Sequence, residues 1–429
     1  MGMSAANSRI AAADLLIETL DNGRTLDEAM ETSEAYGKLT GPDRGFARAM
    51  ASAALRQLGR IDKGLAPFLN RPIQTATPPA RALLRVGAAQ SWLMETPDHA
   101  VVSETVNAAK QWARARSASG FLNAVLRKVV SNRAAFDAAP VTSVWPDWLT
   151  VELMTSLGVE GATALAQLQM DEPDLDLTPR DSDFAEDLGK RIGAKEVGLG
   201  SLRVASGDVA GVEGYRTGDW WVQDAAAAIP AQLLGVKAGE RVFDLCAAPG
   251  GKTMQLAATG ASTIAVDRSK TRLEWVEENL ARTGLSGAVE IIAENAEHWA
   301  PDELADAVLL DAPCSAFGTL RRHPEGAWIK SPGDISRFPD VQLRLLKAAT
   351  RLVKPGGRIV YCVCTPLDRE GVDVVEAALS DEQLERAAIT AEEAGPFAGG
   401  LTAAGDLLTL PTNGFAHDAF FIARLTRTG

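Results

Sequence analysis

The chain has 429 residues, 46% of them hydrophobic, and a formal net charge of −13. That length and apolar content suffice for two or three packed domains and exclude a small fold that depends on covalent staples. Four cysteines, none near the N-terminus, argue against a disulfide framework, and no uncharged apolar run approaches the ~20 residues that cross a bilayer. Met1 is not followed by a charged-then-apolar leader, so a soluble, cytoplasmic protein with reduced thiols is expected.

The total charge hides two opposite parts. Residues 1–133 carry 17 Lys+Arg against 12 Asp+Glu, a net of +5, which leaves −18 for the remainder. Within the first part, residues 42–133 hold 14 basic and 5 acidic side chains, a net of +9, the footprint of a polyanion-binding face.

From residue 8 to 136 the pattern is helical throughout. Ser8 is a candidate cap for a helix with Ile10, Ala13, Leu16, Ile17 and Leu20 inward, ended by Asn22-Gly23. Thr25-Leu-Asp-Glu28 is a capping box, Pro42 opens a helix closed by Gly59, and Pro79 opens another with Leu83, Leu84 and Trp92 on one stripe. Further helices are expected from His99 to Ala115 and from Ser119 to Phe136, which makes 1–136 an all-α domain. Residues 137–224 read as a linker and a small mixed α/β subdomain: helices near 148–158 and 160–170, short strands at Leu175–Leu177 and Leu202–Val204, and buried aromatics at Trp220 and Trp221.

Residues 225–429 alternate strands and helices. Strands are expected at Arg241–Cys246, Ser262–Asp267, Ala288–Ile292, Ala307–Asp311 and Arg358–Val363, with helices such as Thr271–Thr283 and Asp340–Val353 between them. Such alternation builds a doubly wound parallel α/β sheet covered on both faces. Leu407–Leu410 and Ala419–Leu425 form a late strand pair around a turn at Asn413-Gly414.

Three stretches of this part carry chemistry. Asp244 to Thr253 (D-L-C-A-A-P-G-G-K-T) is a glycine turn after an apolar strand, where backbone can approach a ligand and a helix start offers free N–H groups. It is not a P-loop, because Cys246 stands where that motif needs glycine. Asp267 ends the next strand, where nucleotide-binding folds place a carboxylate on ribose. Asp311-Ala-Pro-Cys314 and Cys364 follow the exits of two later strands, so both thiols are expected to face one crevice. On the residues alone they could be inert core thiols, a zinc site or a nucleophile system; no C-x-x-C pair exists and histidines are few, which disfavours metal. Cys362 points to the same strand face as Cys364, so either could reach the crevice.

The helical series R-I-A-A-A-D-L-L at Arg9, T-G-P-D-R-G-F-A-R at Thr40, L-R-V-G at Leu84, P-D-H-A-V-V-S-E at Pro97 and F-L-N-A-V-L-R at Phe121 resembles the NusB-type RNA-binding domain. The later motifs, with R-R-H-P-E and Y-C-V-C-T, resemble the Sun-type RNA cytosine-5 methyltransferases of small-subunit ribosomal RNA, and the late strand pair resembles their seven-stranded sheet. The resemblance implies S-adenosylmethionine as cofactor, surrounded by Cys246, Ala247, Ala248, Pro249, Gly250, Gly251 and Lys252, with Asp267 on its ribose and Asn295 near its adenine. It implies Cys364 as nucleophile, Cys314 as the cysteine that assists product release, and Asp311, at the edge of the cofactor pocket, touching the cytosine ring. No metal and no membrane are implied; RNA is the partner. This chain departs from the family at Asn295, usually aspartate, at Val363-Cys364-Thr365, usually Thr-Cys-Ser, and at Pro366 to Glu370. Residues 315–358 hold nine Lys+Arg against three acids, and Arg321-Arg322-His323 is the stretch expected to contact phosphate. The other readings are a non-catalytic RNA-binding protein of the same fold and a transfer RNA enzyme.

Overall fold

The computed structural model describes residues 2–205, 207, 209–380, 383–411 and 415–429. The chain divides into two compact units: Met1–Asp171 with Leu320–Ser331, and Glu172–Thr319 with Pro332–Gly429.

Among its described residues the first unit is helical, with long helices at Gly2–Leu20, Gly41–Arg56, Pro78–Trp92, Asp98–Gln111, Ser119–Val130 and Asp147–Met170. Leu15, Leu16, Met50, Leu83, Leu84, Trp92 and Leu126 meet in one core. The capping box at Thr25 and Glu28 is formed on both sides, starting Leu26–Thr32. Two readings of local punctuation need correction. Ser8 lies inside the first helix, buried, with its hydroxyl toward Asp43, because the helix already starts at Gly2. Gly59 is not a stop but lies within Leu58–Leu65, where a Cβ would come 2.1 Å from the Ser143 carbonyl oxygen. Asp147–Met170 breaks at Gly158 (φ 69°), as its two expected helices require. It is held within this unit by Gln169, whose amide donates to Arg56 O and accepts from Trp145 Nε1.

The second unit carries two sheets. The smaller is antiparallel, β1 (Leu175–Pro179), β2 (Lys195–Gly198), β3 (Ser201–Val204) and β4 (Trp220–Val222), ordered β2-β3-β1-β4. Trp220 and Trp221 are buried, as expected. The larger sheet contains β5 (Arg241–Leu245), β6 (Ser262–Val266), β7 (Val289–Ile292), β8 (Ala305–Asp311), β9 (Val353–Val363), β10 (Leu384–Arg386), β11 (Leu407–Leu408) and β12 (Phe421–Arg427). Its order is β7-β6-β5-β8-β9-β12-β10, with β11 also paired to β12. β5 to β9 run parallel and β12 antiparallel. Asn413-Gly414, the expected turn before β12, lies outside the described residues.

Alternate residues of the central strands enter different cores, which is why these strands read as unbroken apolar runs. Val308 and Leu310 pack with Phe243, Leu245, Ile359 and Tyr361 on one face, whereas Ala307 and Leu309 pack with Val242, Val360, Cys362 and Ile229 on the other. Strand order reverses at β5 and β8, so the crevice beyond their carboxyl ends is where an open α/β sheet binds its ligand. Leu309 is 0% exposed in the middle of β8. Leu309→Ala is expected to cost about 2–5 kcal/mol, read as a lower urea midpoint; an unchanged midpoint would show that this strand does not carry the core.

Candidate active site

The turn after β5 is shaped by its backbone. Cys246 (φ 63°) and Gly250 (φ 103°) adopt left-handed conformations, and a Cβ at Gly250 would press within 3.2 Å of Val276. Cys246 and Ala247 donate their N–H groups to Val266 O, which stitches the turn to the exit of β6. There Asp267, 4% exposed, accepts from the N–H of Ala248 through Oδ2 (3.2 Å) and from the N–H of Ser269 through Oδ1 (2.9 Å). Arg272 lies 3.8 Å from Asp267 Oδ2 and donates to Ala248 O, bracing Pro249 and Gly250.

Gly251 starts the helix Gly251–Ala258, and Lys252 in its first turn is buried. Lys252 Nζ lies 2.8 Å from Asp311 Oδ2 at the end of β8 and 5.2 Å from the Phe420 ring centroid. Burial works against the ammonium, but the charge and hydrogen bond of Asp311 outweigh it and hold the Lys252 pKa above its ordinary value. The other Asp311 oxygen lies 3.5 Å from Cys362 Sγ. Burial first, then Asp311, pushes the Cys362 thiol well up, so Cys362 is a neutral donor in a fully buried position. Burial likewise raises Cys246, reinforced by Asp267, Asp311 and Asp244.

Cys314 and Cys364 come together, their sulfurs 3.3 Å apart. In the β8–β9 register Asp311 stands opposite Cys362, so the chain segments leaving both strands run side by side. Behind the thiols, the hydroxyls of the two following residues pair: Ser315 Oγ donates to Thr365 Oγ1 at 2.8 Å, both residues fully buried. Thr365 thus keeps a hydroxyl where the family usually has serine. Glu370, fully buried, accepts from the Ser315 N–H and from Gln342 Nε2 at 2.9 Å each. Gly318 donates its N–H to Cys364 O, and a Cβ there would fall 1.8 Å from Ala419 O. The hydrogen bond with Cys364 is the main cause that raises the Cys314 pKa, followed by burial and the charges of Cys364, Glu370 and Asp311. Either sulfur can be the donor in this contact.

The structure gathers Cys246 to Lys252, Asp267, Asp311, Cys314, Cys362 and Cys364. Asn295 follows β7 and is exposed; its Oδ1 accepts from the Glu297 N–H and caps the turn that follows. Arg321, Arg322 and His323 belong to the first unit. Arg321 is 3% exposed and its carbonyl accepts from Arg56, so its side chain does not present itself to phosphate; burial replaces the expected contact. Of the three, His323 is well exposed.

Sequence reasoning misses Asp244, Ser315, Gly318 and Glu370. Asp244 opens the glycine-turn motif, but only the fold reveals that it is 1% exposed, accepts from Thr253 Oγ1 at 2.5 Å, and keeps Oδ1 without a partner among the described residues.

Residues 231–426 match the family described as 16S rRNA methyltransferase RsmB/F, and residues 6–131 match the NusB family. Ribosomal RNA small subunit methyltransferase B of Xanthomonas campestris pv. campestris is 34% identical over 387 residues, covering 87% of each chain. The protein of that name from Pseudomonas syringae pv. tomato is 32% identical over 444 residues, 98% of this chain and 97% of its own. This chain belongs to the ribosomal RNA small subunit methyltransferase B family. The solved structure of PH0851 shares the fold over 98% of both chains, with a TM-score of 0.78 at 22% identity. Family membership confirms the helical NusB domain followed by the methyltransferase sheet.

Burial raises the Asp244 carboxyl to about 7, although the Thr253 hydroxyl bond pulls the other way. Between the unfolded value near ~4 and that folded value the native chain holds the extra proton, so this group's contribution to stability falls as pH rises from about 4 to about 7, then levels off. Asp244→Asn stays neutral. Its stability relative to the wild type should therefore be higher at about pH 8 than at about pH 5 in parallel denaturations; an equal difference at the two pH values would show that Asp244 is ionised throughout.

Proposed function

We propose that this chain transfers the methyl group of S-adenosylmethionine to carbon 5 of a cytosine in small-subunit ribosomal RNA, through a covalent bond between Cys364 and carbon 6. The observation that carries the reading is the Cys314–Cys364 sulfur pair, 3.3 Å apart beside the strand exits. The donor set also fits the cofactor. Asp267 puts a carboxylate at the exit of β6 for ribose hydroxyls, Asp244 keeps one carboxyl oxygen without a partner among the described residues, the Lys252–Asp311 pair offers both charges at the end of β8, and the turn from Cys246 to Gly251 leaves close backbone approach.

Carbon 5 of cytosine is a weak nucleophile. Addition of the Cys364 thiolate to carbon 6 forms a carbon–sulfur bond and moves the ring's π electrons toward carbon 5 and the pyrimidine nitrogens. Bound S-adenosylmethionine supplies an electrophilic methyl group. Asp311, fixed by Lys252 and Cys362, accepts from the cytosine amino group and orients the ring, and the ring nitrogen takes a proton from water as the charge reaches it. A free cysteine titrates near ~8.5, so Cys364 gives up its proton before attack; an S–H on Cys314, whose sulfur lies 3.3 Å away, can then donate to the thiolate. After transfer the carbon-5 proton leaves to a base, the carbon–sulfur bond breaks, and its electrons return to Cys364; Cys314 assists that release. The target base is reached unpaired or flipped from its helix, and the basic segment 42–133 supplies backbone affinity.

On denaturing gels after incubation with ribosomal RNA and cofactor, Cys364→Ala should give neither methylation nor a covalent complex. Cys314→Ala should accumulate protein bound to RNA, and Cys362→Ala should stay active. Normal methylation by Cys364→Ala would sink the mechanism, whereas wild-type RNA binding without incorporation would favour a non-catalytic assembly protein, and incorporation only into transfer RNA the other enzyme. For the cofactor, losing a charge-assisted bond to ribose in Asp267→Ala should weaken binding about ten- to a hundred-fold. Calorimetry with an unaltered dissociation constant would move the pocket elsewhere.

A further inference from the structure

The first unit contains a second cavity, of about 540 Å³, that the chemistry above does not use. Its walls include Lys63, Asn70, Arg71, Gln74, Trp145 and Trp328, all within this unit. That volume lies in the range of small-molecule sites, and the lining has their composition, an aromatic wall with a few polar groups.

The charges decide what it suits. Asp62, the acid on the inner wall, is taken by Arg85 in a two-pronged pair of 2.9 and 2.7 Å. Lys63 donates to Ser143 Oγ at 3.0 Å and lies 3.6 Å from Asp147, whose side chain is 92% exposed, a pair of little strength in water. Arg71 is exposed and makes no ion pair among the described residues. The rim therefore favours an anion. The aromatic wall has one fixed and one available member. Trp145 is 1% exposed and gives its indole N–H to Gln169. Trp328 is partly exposed, and its indole N–H has no acceptor among the described residues. Asn70 and Gln74 add amide groups that can donate and accept.

An aromatic face, an unpaired guanidinium and side-chain amides around one base-sized space are the elements by which proteins hold an unpaired nucleotide. We infer that this cavity binds one unpaired nucleotide of the RNA, its base against Trp328 and a phosphate at Arg71. The inference rests on the RNA-methyltransferase reading and adds a contact in the first unit, which holds neither thiol, one that selects single-stranded over duplex RNA. Trp328 lies on the same Leu320–Ser331 segment as Arg321, Arg322 and His323, so an RNA contact of that segment is reassigned from buried Arg321 to the cavity wall.

The test is filter binding of full-length wild type, Arg71→Glu and Trp328→Leu to a small-subunit ribosomal RNA transcript, with oligouridylate and a blunt RNA duplex as competitors. Methyl incorporation and the melting midpoint are measured on the same preparations. Each variant should bind about ten-fold more weakly, and oligouridylate should displace wild-type protein better than the duplex. Arg71 is exposed, so Arg71→Glu decides the matter if Trp328→Leu melts early. Wild-type incorporation with unchanged Arg71→Glu affinity, or equal competition by the duplex, overturns the cavity assignment alone. Absence of incorporation by the wild type overturns the underlying methyltransferase reading instead.

Discussion

The second unit depends on an ion pair between a buried lysine and a partly exposed aspartate at the point where its sheet changes direction. Lys252 is 9% exposed and lies 2.8 Å from Asp311, which joins the helix after β5 to the end of β8. A buried ammonium without its carboxylate would be costly, so the pair fixes the spacing of the two segments on which any ligand in the crevice must rest. Asp311 also receives the Cys362 thiol, which ties the same carboxylate to β9. From those two strands the chain continues to Cys314 and Cys364. The paired hydroxyls of Ser315 and Thr365, with Glu370 beneath the Ser315 N–H, carry the alignment from the sheet to the sulfurs. The same packing sets protonation: burial and neighbouring carboxylates keep Cys246 and Cys362 as thiols, and contact with Cys364 and burial raise the Cys314 thiol.

Much of this arrangement is legible in the amino-acid sequence. The apolar runs ending at Leu245, Val266, Ile292, Asp311 and Val363 announce a sheet buried on both faces, because period-2 strands with two covered faces have no polar side. The cysteines at 314 and 364 and the glycine turn stand out because strand exits are predictable places. Other features do not. Whether Ser8 caps a helix depends on residues before it that carry no strong signal. Gly59 resembles a helix stop until the Ser143 carbonyl is seen to occupy the space of its missing side chain. Arg321 belongs to a cationic run, and charge alone does not say which member of a run is buried; the return of Leu320–Ser331 to the helical unit is a long-range event with no local pattern. Asp244 escapes notice for a related reason, since a carboxylate beside a glycine turn reads as solvated until its burial is known.

The choice between Cys362 and Cys364 shows how little separates a reactive residue from a structural one. The two lie on one strand face, two residues apart. Cys362 is enclosed between the core and Asp311, whose negative charge opposes its ionisation, whereas Cys364 lies past the strand end, partly exposed and next to another thiol. Position relative to the strand exit, not residue type, separates them.

The central claim is that Cys364 bonds to the target cytosine, and trapping on a substituted substrate tests it most directly. Ribosomal RNA containing 5-fluorocytidine cannot release a proton from carbon 5, so wild-type protein with cofactor should remain attached after methyl transfer. Nuclease and protease digestion followed by peptide mass spectrometry should place the methylated fluoropyrimidine on the peptide containing Cys364, at that residue. A modified nucleotide on Cys314 or Cys362, with Cys364 unmodified, would contradict the account.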